Sequence, residues 1–316
     1  MDKIGIVLKP HHPDGKETLE KLSCWLSERK KKVVLIDPFK KGSDPCDKTL
    51  PRVDMLIVLG GDGTLLSVAR FIAGNEVPIL AVNMGSLGFL TEVTLTELYS
   101  SLEHVFKKEY VEDPRMMLAC VIERGKKVIK KPTVLNDIVV NKGPFARLIR
   151  MEVSVNGQFV TSLRGDGLII ASSTGSTGYT LSSGGPIVHP SVDAMVLTPV
   201  APHTLSNRPI VIPSNVEVRV LLKDNEASPV VTFDGQGAFP LEPNDQVCIK
   251  ASPSRLKLIC SPHRNYYQVL REKLKWGEAR PPARIQPRSR RPDSLGLCEK
   301  TLKQILPSLL VERGRG

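Results

Sequence analysis

The first 110 residues alternate two kinds of segment, and that alternation constrains the fold more than any other feature. Four short runs are apolar at nearly every position: "KIGIVLK" (Lys3–Lys9), "KKVVLI" (Lys31–Ile36), "VDMLIVLG" (Val53–Gly60) and "VPILAVN" (Val77–Asn83). Between and after them lie stretches with helical spacing. In Glu17–Lys30 the apolar residues are Leu19, Leu22, Trp25 and Leu26, and "TLLSVARFIAG" and "LTELYSSLEHVFKK" follow the same rule. Gly74 is placed to cap the second of these helices. A strand that is apolar throughout has no face for solvent, so it must be covered on both sides. Strands of this kind alternating with helices predict a parallel sheet sandwiched by helices.

The rhythm changes near Tyr110. "MMLACVIERGKKVIKK" and "MEVSVNGQFVTSL" have the pattern of β-hairpins, the second turning at Asn156-Gly157. Further short strands follow in "GLIIAS", "VEVRVLLK", "PVVTFDG", "DQVCIKA" and "RLKLICS", with almost no helical periodicity between Glu112 and Ser261. "NYYQVLREKLKW" (Asn265–Trp276) then returns to helical spacing. The expected fold is an α/β N-terminal domain with a parallel sheet (residues 1–110) and a mostly β C-terminal domain (111–262). A helix (263–278) returns to the first domain, and a basic, disordered tail (279–316) follows.

The formal net charge is +11, which raises the question of nucleic acid. From Arg280 onward there are nine Lys/Arg against three Asp/Glu, so +6 of the total lies in the tail. The modest remainder suits a protein that binds anionic small molecules, and nucleic acid is left to the tail alone. No apolar run approaches the roughly 20 residues of a membrane helix. The N-terminus goes straight into a strand pattern without a leader, so a cytoplasmic protein is expected. The six cysteines form no CxxC pair and none sits at ligand spacing from a histidine. They are expected to be small hydrophobes rather than zinc ligands or disulfides.

Two glycine-rich stretches carry the chemistry. "GGDGT" (Gly60–Thr64) joins an apolar strand to a helix. Its glycines let phosphate oxygens approach bare backbone at a helix N-terminus, which favours anions. Asp62 would stand at the carboxyl end of a parallel strand, where α/β sheets bind ligands. A carboxylate there repels phosphate unless a metal ion or a hydroxyl proton lies between them. That requirement points to phosphoryl transfer, with Asp62 taking a proton from the attacking hydroxyl or holding Mg²⁺. The plainer alternative is a tight turn with Asp62 as a helix cap. The second stretch, "RGDGLIIASSTGSTGYTLSSGGPI" (Arg164–Ile187), has six glycines. Its hydroxyls at Ser172, Ser173, Thr174, Ser176, Thr177, Ser182 and Ser183, with the ring of Tyr179, suit a sugar or nucleotide; a polar surface loop is the plainer alternative. "VLNDIVVNKG" adds Asn136 and Asp137, an amide–acid pair able to hold a purine edge or ribose hydroxyls or simply to turn the chain. "NMGSLGFL" (Asn83–Leu90) adds a further glycine loop with Phe89. The Walker loop, the dinucleotide fingerprint, the G-x-S-x-G elbow and H-E-x-x-H are all absent from the sequence, and His189 and His203 receive no role.

"GGDGT", "NMGSLGFL", "LND" and "GDGLIIASSTGSTGYTLSSGGPI" occur in this order, followed by "LTPVAPHTLSNRPIV" and "YYQVLREKLKWG". Together they resemble the bacterial NAD kinase family, within the superfamily of diacylglycerol kinases and phosphofructokinases, over about Lys3 to Gly277. The resemblance implies ATP-dependent phosphorylation of the adenosine-ribose 2′-hydroxyl of NAD to give NADP. It implies a divalent metal, Mg²⁺, with no ligand set fixed by sequence beyond Asp62 and ATP. It also implies a homo-oligomer, a dimer or tetramer, with NAD held partly by a neighbouring subunit. Carried over, Asp62 is the catalytic base, and Gly60, Gly61, Gly63 and Thr64 face the ATP phosphates. Gly63 also touches the dinucleotide, and Phe89 lines the adenine side. Asn136 and Asp137 hold adenosine hydroxyls, Arg164 meets the new 2′-phosphate, and Asp166 approaches the nicotinamide end across the interface. Thr174, Thr177, Gly178, Tyr179, Ser182 and Ala201 line the NAD site. Two positions depart from the family pattern, which often has Glu at 137 and usually Ala at 178. The alternatives are a lipid or sugar kinase of the same superfamily, and a noncatalytic NADP(H)-sensing or nucleic-acid-binding protein.

Overall fold

A computed structural model describes residues 1–39, 50–144, 147–223 and 228–276. The four apolar runs form strands β1 (Lys3–Leu8), β2 (Lys32–Leu35), β3 (Met55–Leu59) and β4 (Ile79–Asn83), all parallel, in the order β4-β3-β1-β2. Every residue of β3 and β4 is buried. Their side chains alternate between two cores. Met55, Ile57, Leu59, Leu80 and Val82 join Leu22 and Leu26 of α1 (Gly15–Glu28) and Leu98 and Leu102 of α3 (Leu98–Phe106). Leu56, Val58, Ile79 and Ala81 join Leu65, Val68 and Phe71 of α2 (Asp62–Phe71). The strand period of two therefore feeds helices on both faces, as the uniform apolarity requires.

The remaining strands are β5 (Val93–Thr94), β6 (Glu112–Arg124), β7 (Lys127–Lys130), β8 (Thr133–Val134), β9 (Asp137–Asn141), β10 (Ile149–Val155), β11 (Gln158–Gly165), β12 (Gly167–Ser172), β13 (Ala194–Val200), β14 (Ile210–Pro213), β15 (Val218–Leu222), β16 (Val230–Phe233), β17 (Gly237–Pro240) and β18 (Gln246–Ile259). The long strand β18 joins the parallel and antiparallel parts. Leu258 pairs with Ile79 of β4, while β18 runs antiparallel along β6 and β15, so one sheet of twelve strands spans both halves of the sequence. A second, antiparallel sheet has the order β14-β13-β12-β9-β16-β17. Leu118, Ile122, Val220 and Val247 of the first sheet and Ile138, Val140, Ile170 and Phe233 of the second share one core, which makes this part a β-sandwich. The hairpin β10–β11 turns at Asn156 and Gly157, both at positive φ, as the Asn-Gly signal predicts. Two short helical segments, Thr174–Thr177 and α4 (Tyr179–Ser182), interrupt the β pattern where the sequence suggests an open loop. Serine hydroxyls close them: Ser172 accepts the Gly175 N–H at 3.1 Å, and Ser176 bonds the Ser173 carbonyl at 2.7 Å.

The last described helix, α5 (Tyr266–Leu274), buries Val269 and Leu270. Just before it, Arg264 reaches the Glu92 carbonyl, and Tyr266 and Tyr267 pack their rings on His189. Among the described residues no helix is long and apolar enough to cross a membrane. Cys24, Cys120, Cys248 and Cys260 are free thiols, of which Cys24 is exposed. The basic tail, Cys46 and Cys298 lie outside the described residues.

Candidate active site

Gly60 still belongs to the sheet, its N–H bonded to Val82 O at 2.9 Å. A Cβ on it would stand 2.4 Å from Thr64 Oγ1, so this glycine makes room for the buried Thr64 side chain. Gly61 is the N-cap of α2 in an extended conformation. A Cβ on Gly61 would meet nothing within 4 Å, and one on Gly63 only the Gln236 amide at 3.6 Å. These two glycines thus leave the backbone bare toward open space, at the helix end where N–H groups lack intrahelical partners.

Asp62 is the first residue of α2, and the hydrogen bonds to its carboxylate come from outside that helix. The loop after β4 holds it. Asp62 Oδ1 accepts the N–H of Leu90 (3.1 Å) and Thr91 (3.1 Å) and the Thr91 hydroxyl (3.0 Å), and Oδ2 accepts the Phe89 N–H (2.9 Å). Asn83 Nδ2 donates to Thr91 Oγ1 at 2.8 Å, which turns that hydroxyl's proton toward Asp62. A Cβ on Gly88 would stand 2.0 Å from Asp62 Oδ1, so only glycine admits the carboxylate there. A carboxylate offers about four acceptor positions. Three of the four bonds fall on Oδ1, and Oδ2 keeps one lone pair for a further partner. The helix-cap alternative therefore does not describe Asp62.

Asn136 and Asp137 open β9 and are fixed from behind by Asp234. The buried Asp234 carboxylate accepts the N–H groups of Leu135 (3.1 Å), Asn136 (2.8 Å) and Asp137 (3.1 Å). Asp234 and Gly235, at φ 50 and 63, form the β16–β17 turn. Gln236, one residue on, donates to Gly63 O and accepts from Ser67 (2.7 Å) and Arg70 (2.8 Å) of α2. A single three-residue turn thus ties the Asn136–Asp137 corner to the Asp62 helix. Burial pushes the Asp137 carboxyl up, and the charge of Asp234 pushes it further, to about 7. Burial also raises Asp234, but its three backbone bonds and Arg70 act against that shift, so Asp137 is the member that keeps a proton.

The 174–182 loop packs on the same corner. A Cβ on Gly175 would lie 2.1 Å from Asn136 O; one on Gly178 would lie 3.6 Å from Asn136 Nδ2 and 3.8 Å from Asp137 Oδ2. Asn136 Oδ1 and Thr174 Oγ1 are buried without a hydrogen-bond partner. Thr177 bonds the Thr174 carbonyl at 3.3 Å, while Tyr179 (47% exposed) and Ser182 stand open to solvent. The hydroxyls of Ser172, Ser173 and Ser176 face inward to Leu135 O, Ala194 O and Ser173 O, so they build the loop instead of lining a sugar site. Phe89 is half-buried, with the Lys273 ammonium 5.6 Å from its ring centroid.

Arg164, Asp166 and Ala201 lie elsewhere. β12 pairs Ala171 with Asp137 but Gly167 with Asn141. At ~3.4 Å per residue, Asp166 is about 17 Å along the strand from the Asp137 end. There Asp166 pairs with Lys142 at 2.8 Å, and Arg164 is exposed. Sequence reasoning missed Asn83, Gly88, Thr91, Asp234 and Gln236 as working parts of the site. Two local signals mark some of them: the glycine loop "NMGSLGFL" contains Asn83 and Gly88, and the Asp-Gly pair of "TFDGQG" marks the Asp234 turn.

Among the described residues no group of three or more His, Cys, Asp or Glu is arranged to hold a metal by itself. Bare backbone and one carboxylate at the carboxyl edge of a parallel sheet, tied through the Asp234–Gln236 turn to a buried amide–acid corner, define a nucleotide-binding phosphotransferase class. Residues 4–110 match the family model for the ATP-NAD kinase N-terminal domain, and residues 135–261 that for the ATP-NAD kinase C-terminal domain. The chain is 45% identical to an NAD kinase of Geotalea daltonii over 284 residues, covering 88% of this chain and all of the relative. It is 43% identical to an NAD kinase of Magnetococcus marinus, over 88% of this chain and 95% of the relative. Its fold matches yeast NADH kinase complexed with NADH (TM-score 0.79, 23% identity, 88% of this chain and 89% of the other). It also matches an NAD kinase from Archaeoglobus fulgidus in complex with ATP (TM-score 0.70, 23% identity, 86% and 98%). The chain belongs to the ATP-NAD kinase family.

Proposed function

We propose that this chain transfers the γ-phosphoryl group of ATP to the 2′-hydroxyl of the adenosine ribose of NAD, giving NADP and ADP, with Asp62 as the base. The observation that carries the role of Asp62 is its carboxylate, anchored through Oδ1 and left with a free acceptor position on Oδ2. Asp62 Oδ2 takes the hydroxyl proton as the ribose oxygen attacks phosphorus and the bond to ADP breaks. The bare backbone at Gly61 and Gly63 suits the phosphates, with Gly60 and Thr64 shaping that turn. Asn136 and Asp137, backed by Thr174, Thr177, Gly178, Tyr179 and Ser182, suit the adenosine, and Phe89 offers a flank for the ring. The unpartnered Asn136 Oδ1 and Thr174 Oγ1 support this reading, since buried polar atoms need partners.

Magnesium is commonly held by one or two carboxylates together with substrate phosphates. The one free position of Asp62, on Oδ2, serves either the hydroxyl proton or the ion, so with Asp62 as the base the ATP phosphates would hold the ion, which would neutralise their charge. Arg164 and Asp166, at the β11–β12 turn, and Ala201, just after β13, lie at the opposite end of β12 from Asp137 and would not serve that corner of their own chain. An apolar cleft of about 300 Å³ near them, lined by Val153, Leu163, Leu168, Pro199 and Ile210, supports docking of a second copy, in a dimer or tetramer. Asp166 and Arg164 would then reach the neighbour's NAD. A cytoplasmic location goes with substrates drawn from the cell's ATP and NAD.

The test is NADP formation by the purified chain with NAD, ATP and Mg²⁺, read through an NADP-specific dehydrogenase. Wild type turns over; Asp62→Asn loses roughly 10²–10⁴ in kcat and keeps its NAD affinity. Wild-type turnover in Asp62→Asn would remove the base from the mechanism, and no NADP from folded wild type would remove the substrate.

A further inference from the structure

Asp62 draws three of its four hydrogen bonds from backbone N–H groups of residues 89–91. Its geometry is therefore only as fixed as that loop. Glycines at 85 and 88 loosen the stretch, and its own sequence contains little to stiffen it. Two things hold it: β5 pairs with β4 (Val82 with Val93, Asn83 with Thr94), and Arg264 reaches in from beyond β18. Arg264 Nη1 donates to the Glu92 carbonyl at 3.0 Å and to Glu97 Oε2 at 2.6 Å. Glu92 directly follows Thr91. Glu97 Oε2 in turn accepts the Thr94 N–H and the Thr94 hydroxyl, each at 2.9 Å, closing a capping box over residues 94–97. Arg264 thus grips the chain on both sides of β5 and pins the loop's downstream end.

The grip is well placed to be stiff. The Arg264 and Glu97 side chains are 21% and 19% exposed, so solvent screens the pair less than an open surface contact. Burial works against the Glu97 charge, but the bonds from Arg264 and Thr94 outweigh it and hold the carboxyl near 2. Arg264 is itself anchored. Two residues on, Tyr266 packs on His189 with ring centroids 4.7 Å apart, and α5 buries Val269 and Leu270. The other end of the loop is tied by the Asn83 bond to Thr91, inside the site.

We propose that Arg264 is a positioning residue for phosphoryl transfer: its bonds to the Glu92 carbonyl and to Glu97 hold the 89–91 loop that orients Asp62. It touches neither substrate. It acts on the reaction through the loop, and this role rests on Asp62 being the base.

Two substitutions test this, Arg264→Ala and Glu97→Gln, with Arg264→Lys as rescue. Arg264→Ala should lower kcat by about ten- to a hundredfold, since a loop shift of order 1 Å costs about that much. The KM for NAD should stay within about threefold. Arg264→Lys, which keeps a donor for both oxygens, should recover most of the loss. Glu97→Gln should lower kcat in the same direction, and the double variant should fall short of the product of the single effects. The readout independent of activity is amide hydrogen exchange. In Arg264→Ala the Phe89, Leu90 and Thr91 amides should exchange faster, while β3 and β13 keep wild-type protection. Unchanged kcat with unchanged exchange at residues 89–91 overturns the proposal. So does a kcat loss accompanied by uniform loss of protection, which would mark Arg264 as a general stabiliser. If Arg264→Ala does not fold, Glu97→Gln carries the same two readouts. Faster exchange at 89–91 with no NADP from wild type would instead fault the assigned reaction and leave the loop restraint standing.

Discussion

The Asp62 corner and the Asn136–Asp137 corner are tied together by the Asp234–Gln236 turn but are built in opposite ways. Around Asp62 the polar groups are matched to each other: four donors converge on the carboxylate, and Asn83 aligns one of them. Around Asn136 the backbone is satisfied, by Asp234 from behind, while side-chain atoms are not. Asn136 Oδ1 and Thr174 Oγ1 are buried without partners, and Asp137 sits against a second carboxylate. A group that must act on a proton has to be pre-aimed, because reorganising it during the reaction costs rate. A surface that must select a ligand does better with unmet demand, because a wrong ligand leaves that demand standing. Substitutions that overfill each corner should therefore behave differently.

The largest effect is expected at Gly88. An alanine methyl there would stand 2.0 Å from Asp62 Oδ1 and 2.4 Å from Thr91 Oγ1, and both belong to the aligned set. Gly88→Ala must displace the carboxylate or the loop, with a kcat loss of about a hundredfold and a stability loss of about 1–3 kcal/mol. Gly61→Ala is the control, because its methyl meets nothing within 4 Å. It should fold like wild type, so any effect on turnover reports on the phosphates. Steady-state kinetics with thermal melts of both variants separates the cases. Equal kcat losses would mean that the Asp62 alignment is not what Gly88 protects.

A smaller, pH-dependent effect is expected at Asp137. Its carboxyl is raised to about 7 by burial and by Asp234, so the fold prefers it protonated. The unfolded chain ionises it at an ordinary carboxylate value. Stability from this group is therefore full at acid pH and is lost as pH rises through about 7. Asp137→Asn cannot ionise, so its melting temperature should fall less than that of wild type between pH ~5 and ~8. Parallel curves would show that Asp137 is charged in the fold at neutral pH and that the corner already accommodates the pair.

Legibility in the sequence followed the same divide. The parallel sheet was readable because β3 is apolar at every position and β4 at every position but Asn83, and the N-terminal helices because their apolar residues recur at helical spacing. Asp62 stood out because glycines bracket it. Its partners did not, since Thr91 lies 29 residues away and nothing local distinguishes it from other threonines. Asp234 reaches Asn136 across 98 residues, and Arg264 reaches Glu97 across 167. Such roles exist only once the fold has set the loop after β4 over α2, paired β16 with β9, and brought the segment after β18 against β5. The serines of the 172–176 stretch mislead for the converse reason. Composition shows hydroxyls, and only the fold shows that they turn inward.

The smallest effect is expected at Gly178, and it separates the two corners most finely. An alanine methyl there would lie 3.3 Å from Gly175 O, 3.6 Å from Asn136 Nδ2 and 3.8 Å from Asp137 Oδ2. The backbone is at φ −92, outside the positive-φ region that favours glycine. Gly178→Ala should therefore be accepted with a shift of a few tenths of an ångström at the Gly175 carbonyl. The KM for NAD should change by less than about threefold and kcat should hold. Gly175→Ala, one turn earlier, puts its methyl 2.1 Å from the Asn136 carbonyl, which is fixed backbone. It should raise the KM for NAD far more, because the corner itself must move. If both substitutions were equally mild, the 174–182 loop would be free to slide on Asn136, and the corner could not select its ligand by a fixed shape.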